Sequence, residues 1–262
     1  CDYNNIITEI HTIESGGSQV YTTGPINPTN IPYILPSRRY VDYTMHSSPY
    51  CSNRRDYLTN QILNSMNRTA NLSQFEQRIF KWQNDKEKFD NILKKVIIEP
   101  FDWNIEQNDE GAYYIKIIFS NHSISHTREG IGDGFWSIFT IVDSLYDSDE
   151  NDIIVIDEPE LSLHPAFQKR VVDLLLEFSS NRQIIITTHS PYFVPLKALV
   201  NGGGLIRTFK DNIGNIKTGI LQNEDRTFLN GLITNLNNPH ILGTEAKELF
   251  LEYFENREKY AN

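Results

Sequence analysis

The sequence predicts an α/β protein with a mainly parallel sheet flanked by helices, joined to a helical lobe and an antiparallel β portion. Three observations point there. From Gly130 onward the apolar residues switch between helical spacing and short continuous runs, in the order helix, strand, helix, strand. That order is the signature of a parallel sheet covered on its faces. Residues 53 to 98 are polar, free of Gly and Pro, and carry Phe75, Ile79, Phe80, Phe89, Ile92, Leu93 and Val96 at helical spacing, so they read as helices. Residues 100 to 127 change period on either side of the polar stretch QNDEGA, as a β-hairpin does.

The elements follow in chain order. Residues 1 to 30 mix the apolar pieces NNIITEI and SQVYTT with the turn formers SGGS and GPINPTN, the composition of an irregular edge hairpin. In IPYILPSRRY the run from Ile31 to Leu35 is bounded by proline and polar residues. It reads as a short buried strand whose exit places Ser37, Arg38 and Arg39 at a sheet edge. After GIGDG, the residues Phe135, Ile138, Phe139, Val142 and Leu145 keep one face of a helix opened by glycines. The β-branched strand DIIVIDE comes next. Phe167, Val171, Leu174, Leu175 and Phe178 then mark another helix face, and QIIITTHS supplies a second continuous strand. Beyond Asn201 come a Gly-rich turn, a hairpin over GLIRTF and KTGILQN, and a last helix, TEAKELFLEYFENREKY.

A chain of 262 residues, 39% hydrophobic and 22% charged, can bury one sizeable core, or one large domain with a smaller lobe. Its formal net charge of -10 argues against a broadly basic nucleic-acid surface. Only local patches such as Arg38-Arg39 or Arg54-Arg55 remain for a phosphate backbone. Cys1 and Cys51 give neither metal spacing nor a disulfide framework, and that usage suits a reducing cytosol. No apolar run approaches the roughly 18 residues of a spanning helix, and CDYNNIITEI lacks the basic and apolar regions of a signal peptide. The expectation is a cytoplasmic protein with no membrane partner. The first residue is Cys rather than Met, so a longer polypeptide is expected to precede it.

The chemistry gathers at the strand ends. In an open parallel sheet, ligands bind outside the carboxyl ends of the strands, where this sequence places Asp157-Glu158 and Thr188-His189-Ser190. A carboxylate ending a strand beside a triphosphate can hold Mg²⁺ through water, because a hard divalent cation prefers oxygen; Asp157 fits that role. In a strand the next side chain points to the other face, which would set Glu158 over a γ-phosphate as the base for attacking water. His189 can donate a hydrogen bond to that phosphate without a fixed charge. Gly132, Asp133 and Gly134 open a helix whose N–H groups and dipole can face an anion. Each assignment has a plainer rival: a solvent-facing strand end for the carboxylates, a satisfied core histidine for His189, a turn with a helix cap for GIGDG, and surface ion pairs for Arg38 and Arg39. The apolar IIVI before the acidic pair, PELSLHP after it, and the THSP context favour function at the first two.

In the order PSRR, helical lobe, GDG at a helix start, VIDEPELSLHP and TTHSP, residues 31 to 195 resemble the ABC-type ATPase domains of the overcoming-lysogenization-defect, recombination-repair and SMC-like class, common in bacterial anti-phage systems. The resemblance implies an ABC-type ATPase core that binds ATP and Mg²⁺ in a head-to-tail homodimer, each subunit's signature loop completing the other's site. It gives Asp157 to the metal, Glu158 to water and His189 to the γ-phosphate. Gly132, Asp133 and Gly134 form the signature loop on the partner's nucleotide, Ser162 and His164 lie in the D-loop, and Arg38 stands at the edge that corresponds to the Q-loop. The implied organisation is residues 1–52 as strand and hairpin portion of the core, 53–99 as helical lobe, 100–200 as hairpin, signature loop, Walker B, D-loop and H-loop, and 201–262 as C-terminal hairpin and helix. DNA and a nuclease or toxin effector are the partners it implies. The chain departs from the family in one respect: no Gly-Lys-Ser or Gly-Lys-Thr occurs in it, so it lacks the loop whose amides and lysine wrap phosphates. The chain by itself is therefore expected not to hydrolyse ATP. The rival reading is a scaffold of the same fold that works without nucleotide.

Overall fold

The structure is a computed structural model of the 262-residue chain. It describes residues 7–12, 18–23, 32–37, 75, 79–80, 83–107, 113–119, 124–127, 130–210, 213–235 and 250–252. Arg38, Arg39, Arg54, Arg55, both cysteines, most of the expected helical lobe and most of the last helix lie outside the described residues. The chain divides into two compact units, Cys1–Thr188 and His189–Asn262.

The first unit contains the parallel sheet. Strand β3 (Tyr33–Leu35) pairs in parallel with β7 (Ile153–Asp157), and β7 pairs in parallel with β8 (Gln183–Thr187), giving the order β3-β7-β8. Both crossovers carry helices, as parallel strands require. β1 (Ile7–Thr12) and β2 (Ser18–Thr23) form the antiparallel hairpin anticipated near the start. The segment from residue 100 to 127 has one strand more than the expected hairpin: β4 (Phe101–Gln107), β5 (Tyr113–Phe119) and β6 (Ile124–Thr127) make an antiparallel meander. The polar residues around Ser125 and His126 hid the third strand, since a short edge strand needs no apolar alternation.

Helix α2 (Asp133–Asp147) is the centre of this unit, with every residue from Trp136 to Leu145 buried. A helix buried all round has elements on more than one side. One neighbour is α1 (Lys86–Val96), which buries Phe89, Leu93 and Val96 as its spacing predicts. Phe139 of α2 meets Phe89 at 5.9 Å, Trp103 at 5.9 Å and Phe135 at 5.1 Å between ring centres, so helix and meander share one aromatic core. The Trp103 indole N–H donates to Asp90 at 2.6 Å, satisfying the polar edge of a ring that is otherwise buried. Arg182 closes the C-terminus of α2, donating to the Ser148 carbonyl and hydroxyl at 2.7 Å each. α3 (Pro165–Phe178) buries Val171, Val172, Leu174 and Leu175, and its Arg170 donates to the Val96 carbonyl at 3.0 Å.

β4 and β5 alternate. Trp103 opposite Ile117 and Ile105 opposite Ile115 are buried, while on the other face Glu106 collects the Tyr114 hydroxyl at 2.7 Å and the Lys116 ammonium at 3.0 Å. β8 is less enclosed than its apolar text suggests, with Ile185 44% exposed. The reason is its position: it ends the sheet among the described residues.

In the second unit, a short helix α4 (Leu196–Val200), the hairpin β9 (Ile206–Lys210) and β10 (Ile216–Ile220), and α5 (Asn223–Asn235) surround a small core of Val194, Leu196, Leu199, Leu221, Leu229 and Phe250. Helix α5 was not foreseen; NEDRTFLNGLITN reads as polar text with few apolar positions. Among the described residues no helix is long and apolar enough to cross a membrane.

Two outcomes follow from this packing. Phe139→Ala, which empties the middle of the aromatic core, is expected to cost about 3–5 kcal/mol in urea or thermal unfolding. Hydrogen bonds from Tyr114 and then Lys116 hold the Glu106 carboxyl below its ordinary value of 4.5. A depressed carboxylate stabilises the fold above its unfolded value and loses that contribution as pH falls through the folded one. Glu106→Gln should therefore cost about 1 kcal/mol or less at neutral pH for this partly exposed cluster, and the difference from wild type should shrink in unfolding curves recorded at successively lower pH below the ordinary value of 4.5.

Candidate functional site

The carboxyl ends of β3, β7 and β8 lie on one edge of the sheet because all three strands run the same way. The β7–β8 register sets Asp157 opposite Thr187, and the Thr187 hydroxyl donates to the Asp157 carboxylate. On the other side of β7, Leu35 stands opposite Ile156, and Ser37, two residues further, is buried. Asp157 is half-buried. It offers hard oxygen, the donor type that Mg²⁺ prefers, but as a single carboxylate: among the described residues no three His, Cys, Asp or Glu gather to hold a metal ion.

The chain turns sharply after Asp157. Glu158 has φ 45° and Ser162 φ 62°, both in the left-handed region, where a residue with a side chain is uncommon. Glu158 is thus not the next residue of a strand, and the alternation that predicted its direction does not apply. Its N–H still donates to the Thr187 carbonyl at 2.8 Å, so the turn starts in contact with β8. Two tight turns follow: Leu161 N–H bonds the Glu158 carbonyl at 3.2 Å and Leu163 N–H bonds the Glu160 carbonyl at 3.0 Å. Glu160 turns its carboxylate back to the sheet, accepting from the Thr188 hydroxyl at 2.8 Å. His164 ends the segment as the N-cap of α3, its Nδ1 accepting from the Ala166 N–H at 3.3 Å, with Pro165 at the first helical position. Ser, Thr, Asp or Asn is the usual residue there; here a histidine fills the position.

The glycines of GIGDG divide in role. Gly132 is the N-cap of α2 and has open space around it, and Asp133 is exposed in the first turn. Gly134 faces the acidic turn: a Cβ there would overlap the Ser162 carbonyl and touch Leu163. The third glycine is explained by a close approach of two backbones. The structure thereby joins two stretches that sequence reading kept apart, GDG and ELSLHP.

Asp157, Glu158, Ser162, His164 and Gly132 to Gly134 all belong to the first unit. His189, exposed, opens the second; its neighbour Ser190 accepts from the Tyr192 N–H at 3.3 Å and caps a short helical turn. Arg38 lies outside the described residues. Sequence reasoning assigned no role to Thr187, Thr188 or Glu160. Their signal was faint: two threonines ending a strand opposite a D-E-x-E run.

Residues 36–194, more than half of the chain, match a family described as "AAA domain, putative AbiEii toxin, Type IV TA system". No curated protein matches the sequence. Among solved structures, the similar ones include an SMC ATPase described for ATP-driven dimerization and DNA-stimulated activation. It is 18% identical, with a TM-score of 0.42 over 59% of this chain and 93% of that one. An SMC head bound to the C-terminal winged-helix domain of ScpA is 16% identical, with a TM-score of 0.47 over 87% of this chain and 71% of that one. A Pyrococcus furiosus SMC head with an extended coiled coil, bound to the C-terminal domain of ScpA, is 18% identical with a TM-score of 0.42. The match covers 69% of this chain and 46% of that one.

The glycines give a paired test. Gly134→Ala must displace the Ser162 backbone and is expected to cost about 1–3 kcal/mol, whereas Gly132→Ala loses only a tolerable cap, about 1 kcal/mol or less. Chemical denaturation of the two variants beside wild type reads the difference.

Proposed function

The chain belongs to the AAA-domain family that residues 36–194 match, and on that premise we propose that it is the Walker B and signature portion of an ABC-type ATPase that hydrolyses ATP at a head-to-tail dimer interface. The observation that supports this reading best is the pair Asp157 and Glu158 at the carboxyl end of the middle strand, with Thr187 bonded to the first and the backbone turned sharply at the second. Asp157 holds the Mg²⁺ that neutralises phosphate charge when ATP is bound. Glu158 accepts the proton of the attacking water while the bond from the γ-phosphorus to the leaving oxygen breaks. Gly132, Asp133 and the N-terminus of α2 present backbone donors to a partner's nucleotide. His189 keeps the γ-phosphate role that the family resemblance gives it.

This reading requires a phosphate-wrapping loop from another segment or chain, because the 262 residues contain no Gly-Lys-Ser or Gly-Lys-Thr. The overcoming-lysogenization-defect class, control of DNA binding or of a nuclease or toxin effector, and a setting in anti-phage defence complete the reading. They rest on the resemblance of VIDEPELSLHP and TTHSP to that class. One observation favours a second reading, a scaffold that assembles without turnover: the same lack of a phosphate loop.

Magnesium-dependent ATP hydrolysis by the product of the complete gene, measured beside Glu158→Gln, separates the two. The ATPase reading expects turnover in wild type and a fall of about 10²-fold or more in the variant, which still binds ATP and accumulates as a dimer in size-exclusion chromatography. Absence of nucleotide binding in both forms establishes the scaffold instead.

A further inference from the structure

We propose that Glu160 is a positioning residue: gripped by the Thr188 hydroxyl, it ties the turn over residues 158–163 to the end of β8 and so keeps Glu158 in its left-handed conformation. A residue with a side chain holds such a conformation only where its surroundings over-determine it. Here the turn is fixed from three directions. Glu158 donates its N–H to the Thr187 carbonyl, Leu161 and Leu163 close the turn on the Glu158 and Glu160 carbonyls, and Thr188 reaches Glu160 Oε2 at 2.8 Å. The first two sets are backbone bonds that any sequence can make. The third is a side-chain bond that only a hydroxyl and a carboxylate at these two places supply, and its charged acceptor makes it one of the stronger bonds in the turn.

The arrangement also gives a reason for two threonines in succession where β8 ends. Thr187, the last residue of β8, engages Asp157, and Thr188, just beyond the strand, engages Glu160, so two successive residues each hold a carboxylate of the neighbouring segment. Glu160 is not a second base in this arrangement: its task is the geometry of Glu158. That role rests on the reading of Glu158 as the residue that handles water, whereas the grip on the turn stands on geometry alone.

The experiment compares the full chain with Thr188→Val and Thr188→Ser. Valine keeps the shape of threonine without the hydroxyl, and serine keeps the hydroxyl. Hydrogen exchange of the Leu161 and Leu163 amides is expected to speed up about tenfold in the valine variant, the size expected for losing a bond to a charged group, and to stay at the wild-type rate with serine. In the ATP-hydrolysing assembly, Thr188→Val and Glu160→Gln are expected to lower kcat with little change in KM, and Thr188→Ser to restore it. Wild-type exchange rates in the valine variant overturn the proposal, as does equal damage from valine and serine. A wild-type protein that hydrolyses no ATP removes the reading of Glu158 as base, and the exchange comparison alone then decides whether the pair holds the turn.

Discussion

The parallel pairing of β7 with β8 is the interaction on which the candidate site depends. Its register sets Asp157 against Thr187 and leads the chain into a turn whose first N–H bonds the same threonine's carbonyl. A slip of one residue would invert every side chain of β8 relative to β7 and separate the two hydroxyls from the two carboxylates. The pairing is selected by burial, since Ile154 and Ile156 are fully enclosed in the middle strand. Apolar packing therefore decides where the charged groups stand, at an edge where electrostatics alone would drive the carboxylates apart.

Helix α2 supports that edge from behind and from its end. Its buried length anchors the aromatic core, and its first turn places Gly134 against the Ser162 carbonyl. The acidic turn is thus bounded by β8 on one side and by the start of α2 on the other. A change in either element has a mechanical path to Glu158 through backbone contacts, with no need for flexible side chains between them.

Much of the fold was legible because its signals are local. The continuous β-branched runs became β7 and β8, the helical spacing after GIGDG became α2, and the face from Phe167 to Phe178 became α3. The misses have local reasons too. β6 is short and polar, and α5 has too few apolar positions to announce a helix. At the site, Asp157 and Glu158 stood out as an acidic pair after an apolar run. Glu160 and Thr187 did not, and Thr188 was legible only as part of a polar strand end, because each is an ordinary polar residue until its partner is known.

The sequence by itself determined the α/β class and the place of the acidic pair at a strand end, since periodicity and short motifs are carried by neighbouring residues. Only the tertiary structure decided that Glu158 leaves the strand in a left-handed turn, that Gly134 is a glycine because Ser162 lies against it, and that Thr188 holds Glu160 across 28 positions of chain. Those facts depend on which segments the packed core brings together, and a linear sequence states no distance between residues that far apart.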